Sequence, residues 1–257
     1  MASVLVTGTN SGIGLATTLV LGRAGHQVYA TVRDPSRASQ LAEAVDKERL
    51  PVSMLTMDVD LDESVKQTVD QIYASGRDID TLVNNAGIER LGSVEDLPIE
   101  VFRAAMETNY FGALRCIKAV LPRMRQKRNG CIVNLASVAG RIAVSPFAAY
   151  NASKFALEAL SEVLAQEVKP FNIRVAIVEP GMIDTPMGRA NRYTGRRVRL
   201  SATSPHRGLV PGRSPQRKRA GGCGGEDPRD HREQNLAVAP SSGCRCPGIS
   251  RLARSKE

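Results

Sequence analysis

Tyr150-Asn151-Ala152-Ser153-Lys154 places a phenol and an ammonium four residues apart at the start of a helical pattern. Side chains at i and i+4 share one face of a helix. A phenol ionises near about pH 10, too high for a base at neutral pH, and a neighbouring ammonium lowers that value. The pair therefore suits proton transfer to or from a carbonyl oxygen. Tyr and Lys at this spacing also occur by chance, so the neighbours matter. Ser137 follows the apolar run Ile132-Val133-Asn134-Leu135, at what should be the carboxyl end of a strand. Asn109 falls inside a long helical pattern, where Asn is locally unfavourable and invites a non-helical role. Each residue has a plainer alternative. Ser137 could cap a turn, Asn109 could be an exposed helix residue, and Lys154 could be a surface cation.

A second group of residues points to a phosphate ligand. Ser3 to Gly14 reads SVLVTGTNSGIG. Gly8 permits a tight turn, Gly12 lets the backbone approach a pyrophosphate, and Gly14 lets helix and strand pack closely. Free N–H groups at the helix start then favour a diphosphate. The next strand ends Ala30-Thr31-Val32-Arg33-Asp34-Pro35. An acidic residue at its tip would bind ribose hydroxyls and repel a 2′-phosphate. Val32 does neither, while Arg33 can pair with a 2′-phosphate and Ser11 can add a hydroxyl. The balance favours NADP(H) over NAD(H). The alternative makes Arg33 a solvated cation partnered by Asp34.

The elements that must hold these residues alternate. Strands are predicted at Ser3–Thr7, Gln27–Val32, Val52–Met57, Thr81–Asn84, Cys131–Leu135 and Arg174–Val178. Helices are predicted at 13–24, 36–48, 62–75, 99–127 and 148–169. Apolar strands without polar alternation suit burial on both faces. The alternation implies a single α/β domain, with a Rossmann-type doubly wound parallel sheet and ligand at the carboxyl ends of the strands.

These motifs together resemble the short-chain dehydrogenase/reductase family. The resemblance rests on TGxxxGIG, Asn84-Asn85-Ala86-Gly87, the Asn109, Ser137, Tyr150 and Lys154 set, and Pro180-Gly181 leading to Thr185, over about residues 3–187. It implies an oxidoreductase that moves a hydride between a nicotinamide and a carbonyl or alcohol. Tyr150 would pass the proton, Ser137 would hold the substrate oxygen, and Lys154 would lower the Tyr150 pKa and bind the nicotinamide ribose. Asn109 would anchor a water joining Lys154 to solvent. The resemblance places Ile13, Asp58, Val59, Asn85, Ala86, Gly87, Pro180, Gly181, Ile183 and Thr185 at the cofactor. Asp58 would meet the adenine, or else act as a turn residue. Thr185 and the backbone near Ile183 would hold the carboxamide, although Thr185 could instead be the N-cap of a missing helix. The substrate would lie against Ile88–Val94 and Val138–Phe147, which suits a small hydrophobic carbonyl or alcohol. Copies could pair through the helices at 99–127 and 148–169.

The pattern breaks near residue 189. Residues 189–257 carry 16 of the 35 Lys/Arg but only 5 of the 26 acids, so the first 188 residues are slightly acidic. That stretch is Gly- and Pro-rich, with no surviving apolar period, and is expected to stay disordered. No seventh strand or substrate lid is expected. Two readings therefore stay open: an active oxidoreductase, or a cofactor-binding module impaired by an aberrant carboxyl region. Nothing suggests specific nucleic-acid binding, a membrane span or a signal peptide, so a cytoplasmic protein is expected. His26, His206 and His231 lack acidic or cysteine partners near a strand end, and the five cysteines lack metal spacing, so no metal is expected.

Overall fold

The structure, a computed structural model, describes residues 1–190. Six strands, β1 (Ser3–Thr7), β2 (Gln27–Val32), β3 (Val52–Thr56), β4 (Thr81–Asn84), β5 (Gly130–Leu135) and β6 (Ile173–Val178), form one parallel sheet in the order β3-β2-β1-β4-β5-β6. Each strand keeps its predicted bounds to within one residue. The register runs Val4 beside Val28 on one flank and Thr81 on the other.

The helices are α1 (Gly12–Arg23), α2 (Ser39–Glu48), α3 (Asp62–Ala74), α4 (Ile99–Met106), α5 (Gly112–Lys127), α6 (Ala148–Val168) and the short α7 (Pro186–Ala190). Alternate strand residues feed the two faces. Leu5, Leu82 and Ile132 pack with Val65, Val69 and Ile72 of α3 and with Ile117, Val120 and Met124 of α5. Val4, Val6, Val28 and Val83 face the other way, toward Leu21 of α1. Both faces are covered, which is why these strands read as unbroken apolar runs.

The strand order reverses between β1 and β4. Sheets of this kind bind ligands in the crevice beyond that switch point, at the carboxyl ends of the strands. Ser137 and the glycine loop both leave the sheet at that edge.

Three local features differ from expectation. The predicted helix at 99–127 is interrupted by a π-helical segment, Glu107–Phe111, between α4 and α5. The predicted start at 36 is a separate turn, Pro35–Arg37, capped by Asp34. The helix α7 stands where none is expected, and it crosses the predicted boundary at 188/189. The expected missing seventh strand and lid and the expected disorder of the carboxyl region fall on residues beyond 190, outside the described residues. No helix among the described residues is long and apolar enough to cross a membrane.

Candidate active site

The glycine-loop wall of the cleft is held by backbone geometry. Gly8 and Gly12 adopt positive φ of 68° and 57°, a region that L side chains enter only at a cost. A Cβ on Gly8 would stand 2.8 Å from the Ala86 Cα. Asn85 clamps the loop from β4, its Nδ2 donating to the carbonyls of Thr7 at 2.7 Å and Gly8 at 2.9 Å. The Thr7 hydroxyl accepts from the N–H groups of Asn85 and Ala86. Ser11 sits at the N-cap of α1, but its side chain makes no capping bond, and no acid occupies the first turn. The helix start thus presents free donors to the cleft lined by Gly8, Ser11, Gly12 and Ile13. This cradle fits a dinucleotide diphosphate.

Arg33 also lines the cleft, beside Asp58 and Val59. Asp34 feels the Arg33 charge but forms no salt bridge with it, its carboxylate accepting from the Ser36 N–H at 3.0 Å and hydroxyl at 2.7 Å. Arg33 enters no salt bridge among the described residues. Arg37 joins it at the rim. Sequence reading passes over Arg37 because Pro35 breaks the helical spacing between the two. Asp58 accepts from the Asp60 N–H at 3.1 Å, so it serves as a turn residue while lining the cleft.

The proposed chemistry sits where the two walls meet. Tyr150 and Lys154 of α6 both line the cleft, and Ser137 hydrogen-bonds Tyr150. Ser137 also caps the turn Val138–Gly140, accepting from the Ala139 N–H at 3.1 Å, so the plainer reading of this residue holds alongside the chemical one. Burial pushes the Tyr150 phenol up to about 12, against the pull of the Ser137 hydrogen bond. The net direction is thus set by burial, opposite to the lowering expected from a neighbouring Lys154. The Lys154 Nζ lies 5.6 Å from the Tyr150 ring centre and donates to the Leu135 carbonyl at 2.7 Å. Burial pushes Lys154 itself down to about 8. For both groups burial is the largest cause of the shift.

Asn109 lies in the π-helical segment, outside the cleft lining. Its Oδ1 accepts from the Ile88 N–H at 2.7 Å, and its Nδ2 donates to the Ile88 carbonyl at 2.9 Å and to the Ser153 hydroxyl at 2.8 Å. Both amide hydrogens are committed to protein acceptors. The side chain therefore fastens the segment after β4 to α6. A π turn at a functional position is a recurring device.

The opposite wall is apolar. Ile88, Leu91, Val138, Ile142, Val144 and Phe147 line a cleft of about 1270 Å³ shared with the glycine-loop wall. Val94, expected there, is 73% exposed and does not line it. Met182 and Met187 add to the wall and were not singled out from the sequence; the signal was an apolar residue on either side of the Ile183–Thr185 motif. Gly87, Pro180, Gly181, Ile183 and Thr185 also line the cleft. The Thr185 hydroxyl accepts from the Gly188 N–H at 3.2 Å, so it caps a helix that does exist, α7.

A parallel sheet with a clamped glycine loop at its switch point, and Ser, Tyr and Lys in the adjoining cleft, defines a Rossmann-type dinucleotide-binding domain. The family model for short chain dehydrogenases matches residues 2–195, and the chain belongs to that family. It is 42% identical over 182 residues to a 3-ketodihydrosphingosine reductase of Bacteroides thetaiotaomicron, covering 71% of this chain and 64% of that one. It is 41% identical over 215 residues to retinol dehydrogenase 8 of Bos taurus, covering 81% of this chain and 66% of that one. The chain thus spans just under two thirds of the length of these relatives. A gluconate 5-dehydrogenase from Burkholderia cenocepacia, solved with NADP and tartrate, superposes with a TM-score of 0.69 at 29% identity, covering 74% of each chain.

Proposed function

We propose that this protein is an NADP-dependent oxidoreductase that reduces an apolar carbonyl compound to its alcohol. The observation that carries the reading is a single cleft into which the glycine loop, Arg33, Ser137, Tyr150 and Lys154 all open, with an apolar wall opposite. When bound, the nicotinamide supplies the hydride. Gly8, Ser11, Gly12, Ile13 and Gly14 would cradle the diphosphate. Arg33 would meet a 2′-phosphate, with Arg37 beside it. Asp58 and Val59 would face the adenine. Asn85, Ala86 and Gly87 would form the floor, and Pro180, Gly181, Ile183 and Thr185 would position the carboxamide. Lys154 would reach the ribose.

Ser137 would hold the carbonyl oxygen, and Tyr150 would donate the proton to that oxygen as it gains negative charge. A phenol pushed up to about 12 stays protonated at neutral pH. It is therefore protonated and able to act as the acid when a carbonyl is reduced. One relative is named as a reductase and the other as a dehydrogenase, and one solved neighbour carries NADP. Those names accord with a carbonyl/alcohol reaction and with the nucleotide chosen here. Phe155 and Val163 of α6 stay exposed, which supports pairing of copies through that helix.

Thermal unfolding with NADPH and with NADH tests the nucleotide, because a ligand that binds only the native state raises the midpoint. The expected result is a larger rise with NADPH. Turnover is then measured with a panel of apolar ketones, using Tyr150→Phe as the control. The variant should keep its NADPH-induced rise and lose about a thousandfold in kcat, within the range for a proton donor. Binding without wild-type turnover would favour the impaired-module reading.

A further inference from the structure

The α6 helix carries a carboxylate that the proposed chemistry does not use. Glu158 lies one turn beyond Lys154 on the same face, and its side chain is only 5% exposed. The Arg141 guanidinium approaches it at 3.1 Å. Neither Glu158 oxygen has a hydrogen-bond partner. Arg141 also meets Glu179, at the exit of β6, at 2.9 Å and Glu162 of α6 at 3.2 Å. It directly follows the turn Val138–Gly140 that Ser137 caps. That turn rests on α6: a Cβ on Gly140 would stand 3.0 Å from the Glu158 Cγ and 3.1 Å from the Lys154 carbonyl oxygen. A buried carboxylate without hydrogen bonds is costly, and an apolar side chain of similar volume would avoid that cost. Its position, between the cation of the active site and the cation of the Ser137 turn, gives it a use.

We propose that Glu158, latched by Arg141, is a positioning residue that keeps Lys154 in its ammonium form and fixes the Ser137 turn against the helix carrying Tyr150. The effect on Lys154 follows from the i,i+4 placement of the two side chains on α6 and the burial of both, whereas the effect on turnover rests on the proposed function. The charged groups facing Glu158 are Lys154 and Glu162 from α6, Arg141 from the turn and Glu179 from β6. Burial pushes Lys154 down, and the Glu158 charge opposes that. Burial also pushes Glu158 up to about 7, with Arg141 opposing and Glu179 and Glu162 adding repulsion. Neutralising Glu158 therefore lets Lys154 lose its proton at lower pH, which weakens its help to Tyr150 from the alkaline side.

The test uses the full chain with ¹³C-labelled lysine side chains and no ligand. Lys154 is assigned by the signal missing from Lys154→Arg. In Glu158→Gln its titration should fall by about one pH unit, as expected for loss of a near charge. In Glu158→Asp, which keeps the charge, it should stay near the wild-type value. Steady-state reduction of an apolar ketone by Glu158→Gln should show kcat down about tenfold and an alkaline limb moved to lower pH. The KM for NADPH should stay within about twofold, as expected when an interaction made only in the transition state is lost. An unchanged Lys154 titration in Glu158→Gln would overturn the proposal. So would a drop in kcat with a pH profile superposable on the wild type. A shifted Lys154 titration with no wild-type turnover would sink the proposed function and leave the electrostatic coupling standing. If Glu158→Gln does not fold, the wild-type Lys154 signal decides. Two titration steps, the lower one from Glu158, support the coupling, and a single step refutes it.

Discussion

The loop after β1 and the segment after β5 leave the sheet at the same edge, yet they are held in different ways. The first is fixed by main-chain contacts: two positive-φ glycines, the Asn85 side chain on two carbonyls, and the Thr7 hydroxyl under two N–H groups. The second presents side chains. Val138, Ile142 and Val144 are 41%, 60% and 50% exposed. A backbone cradle suits a ligand whose shape never varies. An apolar wall whose fixed polar group is Ser137 alone selects the rest of the molecule by fit and dehydration, and so discriminates only weakly between molecules that differ in their apolar parts. Substitutions on the first wall should therefore be severe and specific to the nucleotide, and those on the second mild and specific to the substrate.

The largest effect is expected at Gly8. Alanine there must hold φ near 68° and place its Cβ 2.8 Å from the Ala86 Cα. The left-handed conformation alone costs about 1–2 kcal/mol, and the contact forces the loop away from Asn85. NADPH affinity of Gly8→Ala, read by fluorescence titration, should fall at least ~100-fold, the lost cradle adding to the strain. Wild-type affinity in this variant would show that the loop is not preorganised by its backbone.

Arg33→Ala comes next. A charge-assisted pair to a phosphate contributes about 1.5–3 kcal/mol. The expected loss for NADPH is therefore about 10- to 100-fold, with NADH changed by less than about twofold. Equal loss for both nucleotides would remove the 2′-phosphate reading of Arg33. On the opposite wall, Ile142→Ser should raise the KM for an apolar ketone about fivefold, consistent with part of the 1–3 kcal/mol typical of a lost apolar contact, and leave NADPH affinity alone. A change in NADPH affinity there would mean that the two walls are mechanically coupled.

The same contrast decides what could be read from the sequence. The glycine loop and all six strands were legible because their determinants are local: a run of apolar residues, then glycines at fixed offsets. The family was legible because four such motifs recur in order. The hydrogen bonds of Asn109 were not, since its partners Ile88 and Ser153 lie 21 and 44 residues away. The same holds for Glu158, whose cation comes from a turn 17 residues back along the chain. The net direction of the Tyr150 shift was not legible for a related reason. Sequence shows the lysine four residues on, but not how deeply both groups are buried. The helix α7 was missed because five residues ending in Gly-Arg-Ala carry no amphipathic period.

Lys154 stands where the two walls meet, and its burial gives the smallest and most exacting test. Its ordinary value of 10.5 falls to about 8 in the folded chain, with burial as the main cause. Between those values the unfolded chain binds more protons than the native one, so wild-type stability rises with pH across that window. Below about pH 8 both states are protonated, and the full cost of burying the ammonium is present. Lys154→Met removes that cost while filling similar space. Its unfolding midpoint should exceed that of the wild type by a few degrees at pH 7.5, since about 1 kcal/mol moves a domain of this size by about 2–4 °C. The gap should narrow steadily as pH rises toward 10. Glu158, pushed up only to about 7, has finished titrating over most of that range and does not reverse the slope. A pH-independent gap would mean that Lys154 stays hydrated in solution. In that case the apolar wall would not exclude water from the site, and the high value of the Tyr150 phenol would lose its physical basis as well.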